Sequence, residues 1–91
     1  MFPITQDQAI KLAKAHIDVL ASATGDSFEL LLDRSQVVEQ GWIFFFNTSD
    51  FVRTGSASDS LAGNGPLLVF RDGRVRELPS YLAVEDSLKN I

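Results

Sequence analysis

Few residues in this chain could do chemistry, and their spacing limits what they could do. Residues 61–73 read LAGNGPLLVFRDG, with Gly63-Asn64-Gly65-Pro66 directly ahead of an apolar run. A phosphate-cradling glycine loop follows a strand and opens a helix, so that backbone N–H groups converge on the anion. Here a proline and a strand-like run follow instead, and GK[ST] occurs nowhere. The loop is expected to steer the chain. Gly63 and Gly65 permit a tight bend, and Pro66 stands at a strand start, where a ladder donor is least missed. His16 is the single histidine. As a general base it would need a nucleophile, and no GxSxG accompanies it. It borders the apolar stripe of a helix and is expected to pack there. Asp26, Glu29, Asp33 and Glu39 lack metal-ligand spacing. No catalytic residue, metal, cofactor or small-molecule substrate is expected.

The elements that must position these groups follow from periodicity. ITQDQAIKLAKAHIDVLASATGD reads as one helix, with Thr5 as N-cap, Gln8 completing a capping box and Gly25 as the stop. Ile10, Ala13, Ile17 and Leu20 form its stripe, with Ala9 and His16 nearby; Lys11, Lys14 and Asp18 lie opposite. SFELLLDRSQVVEQ and GWIFFFN read as two strands turning at Gly41. Trp42, Phe44 and Phe46 share one face of the second strand, and Ile43 and Phe45 the other. A strand apolar on both faces is normally central and covered twice. Residues 48–66 form a polar crossover in which Ser58 could cap a short helical turn carrying Leu61 and Ala62. PLLVFRDGRVREL is a hairpin, and Asp72-Gly73 suits a two-residue type I′ turn. That turn would pair Arg71 with Arg74 and Phe70 with Val75. Leu68, Phe70 and Val75 would share one face, and Arg71, Arg74 and Arg76 the other. The tail SYLAVEDSLKNI reads as a short helix. The expected fold is α+β: an N-terminal helix packed on a four-stranded antiparallel sheet, with a short C-terminal helix.

Size and charge narrow the function. A chain of 91 residues is expected to form a single domain, 1–91. Cysteine is absent, which removes disulfides, thiolate chemistry and Cys-based zinc sites, and fits a reducing cytoplasm. The net charge of -4 repels phosphate backbones and argues against nucleic acid. The opening MFPITQDQAI has no basic region followed by a long apolar run, so neither a signal peptide nor a membrane span is expected. An acidic protein can still meet a basic partner. The arginines offer a second mode, because arginine is favoured at protein interfaces.

GWIFFFNTSDFVRTGSASDSLAGNGPLLVFRDGRV resembles the YrhB-like family, also called the immunity protein 35 family. The resemblance rests on Gly41-Trp42 opening an aromatic strand, then Leu61-Ala62-Gly63-Asn64-Gly65-Pro66-Leu67-Leu68-Val69. Arg71-Asp72-Gly73 and a terminal Val84-Glu85 with Leu88 follow in order. Phe70 stands where an acidic residue would be expected. The resemblance implies a small bacterial cytoplasmic protein that binds and neutralises a cognate polymorphic toxin by occlusion, without catalysis. It also implies an alternative, a chaperone-like holdase for unfolded chains. Separately, Gln36 to Gly41, QVVEQG, resembles the QxVxG hairpin of cystatins, which block papain-like proteases, with the glycine one residue late. The partner-binding candidates are therefore Arg71, Arg74, Arg76, Gln36, Val37, Val38, Gly41 and Trp42. Gly63, Asn64, Gly65, Pro66, Asp72 and Gly73 are expected to be structural loop residues.

Overall fold

The computed structural model describes residues 3–56, 58, 60 and 65–89. Helix α1 (Gln6–Thr24) begins as its sequence dictates. The Thr5 hydroxyl accepts from the Gln8 N–H, and the Gln8 side chain accepts from the Thr5 N–H at 2.8 Å. A reciprocal cap of this kind contributes about 1 kcal/mol. Ala9, Ala13, Ile17 and Ala21 form its buried line, with Ile10 and Leu20 at the margins. Three alanines in that line let the helix backbone approach the sheet closely. The segment before the helix is tied to the far hairpin by Ile4 N–H donating to the Arg71 carbonyl at 2.9 Å.

The expected strand from Phe28 onward is broken. Strand β1 (Phe28–Leu30) and strand β2 (Gln36–Val38) are separated by a 3-10 turn, Leu32–Arg34. Strands β3 (Gly41–Phe44) and β4 (Phe46–Thr48) continue the returning arm on either side of Phe45. β2 pairs with β3, placing Gln36 opposite Ile43. On an unbroken ladder Leu30 would lie opposite Ser49; it lies opposite Phe46, three residues away. The 3-10 turn is three residues long and absorbs that offset. Alternation through Leu32 predicted one continuous strand, and the offset overrode it.

In the crossover, α2 (Ser49–Thr54) is capped by Thr48, whose hydroxyl accepts from the Phe51 N–H at 3.0 Å. The helical turn expected from Ser58 involves Leu61 and Ala62, which lie outside the described residues, as do Gly63 and Asn64. Strands β5 (Leu67–Phe70) and β6 (Val75–Glu77) complete a four-stranded antiparallel sheet in the order β2-β3-β5-β6. Helix α3 (Val84–Lys89) follows. The fold is thus α+β, with an N-terminal helix on a four-stranded sheet and a short C-terminal helix, plus the small β1–β4 pair.

β3 and β5 are covered on both faces, as their apolar sequences require. On the side facing α1, Trp42, Phe44, Phe46, Leu67 and Val69 meet Ala9, Ala13, Ile17 and Ala21. On the far face Ile43, Leu68 and Leu78 meet Val84 and Leu88 of α3, with Val38, Phe45 and Phe70 at the edge.

Candidate functional site

The β5–β6 hairpin positions the arginines, and its register differs from the expected one by a single residue. Val69 lies opposite Val75, and Leu68 opposite Arg76. The loop is Arg71-Asp72-Gly73: the Gly73 N–H donates to the Phe70 carbonyl, and the Phe70 N–H donates to the Arg74 carbonyl at 2.8 Å. Only glycines in the described chain have positive φ, so Asp72 cannot occupy a type I′ turn; Gly73, at φ 96°, can close a three-residue loop. A one-residue register change moves every side chain of a strand to the other face. Val75 therefore joins Val69 and Trp42 beneath α1. Arg74 and Arg76 join Phe70 and Leu68 on the far face.

The three arginines do not share a face. Arg71 turns to the α1 side, where its guanidinium stands 5.1 Å from the Trp42 ring centre. It donates to the Val38 carbonyl at 2.9 Å and the Glu39 carbonyl at 3.1 Å, stapling one hairpin tip to the other. Arg74 lies over the Phe70 ring at 4.6 Å and pairs with Asp72 at 2.8 Å. The Arg74 backbone N–H, followed by the charge of its side chain, holds the Asp72 carboxyl below its ordinary value of 3.8. Arg76 has no ion pair among the described residues.

On the far face, the pairing sets Val38, Gly41, Phe70 and Arg74 in one row across the sheet. Gln36, Ile43, Leu68 and Arg76 form the next. α3 covers Ile43 and Leu68, whereas Val38 and Phe70 remain half-buried at the hairpin tips. This face carries Gln36 and Val38 at its β2 edge and Arg74 and Arg76 at its β6 edge. Val37 is 67% exposed but faces the α1 side, opposite Trp42. Gly41 and Trp42 are buried and support the surface from within. Phe70 belongs to the surface, on the face it shares with Leu68 as the sequence suggests but without Val75. Its exposure depends on how far α3 reaches, which its own alternation does not encode.

The remaining sequence candidates are structural or isolated. A side chain on Gly65 would fall on the Leu78 carbonyl, and the Leu78 N–H donates to the Pro66 carbonyl at 2.8 Å. Gly65-Pro66 is a point of close backbone packing. His16 Nε2 is buried without a hydrogen-bond partner among the described residues, and Glu77 Oε2 is 3.9 Å away, beyond hydrogen-bond reach. A cleft of about 390 Å³ opens beside Gly65, Leu78 and Tyr81, with Glu77 as its one carboxylate among the described residues. No cluster of three or more metal-ligating side chains occurs among the described residues. No described helix is long and apolar enough to cross a membrane.

The sequence pattern of the immunity protein 35 family matches residues 7–89. The Escherichia coli (strain K12) protein YrhB, described as uncharacterized, is 35% identical over 52 residues, covering 56% of this chain and 55% of that one. The chain thus spans about half the length of that relative. No solved structure matches it.

Proposed function

The chain belongs to the immunity protein 35 family, and from that membership we propose that it binds a cognate bacterial toxin in the cytoplasm and neutralises it by occlusion, without catalysis. The family match across residues 7–89 carries this reading. The far face supports it with a surface of suitable chemistry. Half-buried Val38 and Phe70 offer apolar contact, and Arg74 and Arg76 flank them with positive charge. Such a patch on a chain of net charge -4 complements an acidic region of a partner. The Arg71 guanidinium is committed to the Val38 and Glu39 carbonyls and shapes the patch without facing it.

Co-expression with a candidate toxin domain taken from a neighbouring reading frame tests the reading. The protein should rescue growth and co-purify with that domain. Arg74→Glu with Arg76→Glu should fold, bind at least tenfold more weakly and protect less. The wild-type association rate should fall as salt rises. Growth arrest undiminished by the wild-type protein, with no captured complex, would sink the proposal.

A further inference from the structure

We propose that β6 is a docking edge, to which an extended segment of the toxin, acidic at alternate positions, adds as a further antiparallel strand. This rests on the toxin-binding reading and specifies how the contact is made. β6 is the terminal strand of the sheet. The bonds from Phe70 N–H to the Arg74 carbonyl and from Leu78 N–H to the Pro66 carbonyl, both 2.8 Å, mark narrow pairs at the two ends of the β5–β6 ladder. Narrow and wide pairs alternate along an antiparallel ladder. Leu68–Arg76 is then narrow, and Val69–Val75 and Leu67–Glu77 are wide. Residues of a wide pair turn their N–H and C=O groups away from each other. Val75 and Glu77 consequently aim theirs off the sheet edge, and these groups have no hydrogen-bond partner among the described residues.

The side chains select what can add there. On the far face an incoming strand meets Arg74, which also pairs with Asp72, and Arg76, which has no ion pair among the described residues. On the α1 face it meets half-buried Val75, with Leu12, 36% exposed, close to the turn at Gly73. Alternating acidic and apolar side chains satisfy both faces. A second copy of this chain does not. Antiparallel self-pairing across a two-fold axis keeps each face together, so any overlap of Arg74–Glu77 sets arginine against arginine or Glu77 against Glu77. Like charges directly opposite destabilise a strand pair.

The probe is a capped octapeptide alternating valine and glutamate, compared with one alternating valine and lysine. With the first peptide at saturation, Val75 and Glu77 amide exchange in the full chain should slow at least tenfold, and salt should reverse the effect. The lysine peptide should leave both amides unchanged. Glu77→Pro removes one outward donor and none of the β5–β6 bonds. It should keep the melting temperature and lose at least tenfold in affinity for peptide and toxin domain, while Glu77→Ala keeps both. If Glu77→Pro does not fold, wild-type amide exchange decides alone. Protection at Gln36–Val38, or nowhere, overturns the proposal. A bound toxin domain that leaves Val75 and Glu77 exchanging freely sinks the edge and spares the immunity reading. Peptide protection at β6 with no toxin binding sinks the immunity reading and leaves the edge standing.

Discussion

At Gly65 the constraint is space. The backbone of Leu78 passes where a β-carbon would sit, and the segment is anchored there by the Leu78–Pro66 hydrogen bond. Gly65→Val must therefore displace backbone, a cost of about 1–3 kcal/mol for overpacking of this kind. Its melting temperature should fall in the absence of any partner; an unchanged value would remove the packing role. At Asp72 the constraint is electrostatic. Its lowered pKa means that the folded state binds its proton more weakly than the unfolded chain does. The stabilisation is present above pH 3.8 and is lost as pH falls through the lower folded-state value. Asp72→Asn should flatten this acid loss. Melting curves recorded from pH 5 downward would show it, and parallel curves for the two proteins would count against it.

At the level of elements, β3 illustrates how one strand serves two layers. Phe44 is fully buried under α1, whereas neighbouring Phe45 points to the far face and packs at the rim of the smaller cluster. Phe44→Ala should cost about 3–5 kcal/mol. Phe45→Ala should cost roughly half as much, because less apolar area leaves water there on folding. Chemical denaturation of the two variants measures the difference; equal losses would mean that both faces are closed alike. The β5–β6 hairpin shows how a short element can mislead. Asp-Gly serves a two-residue turn and also a three-residue loop that ends on a left-handed glycine. Packing chose between them, because only the longer loop places Val75 beneath α1 beside Val69.

For the whole molecule, the two faces divide the work. The α1 face is consumed by the main core, and the far face is closed by α3 over Ile43, Leu68 and Leu78 but open toward the hairpin tips. The proposed occlusion would use that open, charged rim. His16, on α1 near Glu77, lies on the α1 face rather than the far face. His16→Gln is accordingly expected to leave toxin protection within about twofold of wild type. Lost protection in a variant that still folds and binds would overturn the non-catalytic reading.

The sequence by itself determined the α1 cap and stop, the two-faced aromatic strand, the turn at Gly41 and the short closing helix. Each of these rests on neighbours in sequence: a capping box spans four positions, and alternation is legible wherever both faces of a strand are apolar. Only the tertiary structure decided the 3-10 turn at Leu32–Arg34 and the dispersal of Arg71, Arg74 and Arg76 over two faces, whereas the Thr48-capped helix carries local signals, a Thr48 cap and a Gly55 stop, that the periodicity of a polar crossover hides. The turn and the dispersal depend on register, which a three-residue offset or a one-residue loop difference changes without altering local propensity. The side chains on β6 cannot tell their own face until Val75 finds Val69 and α1 closes over both.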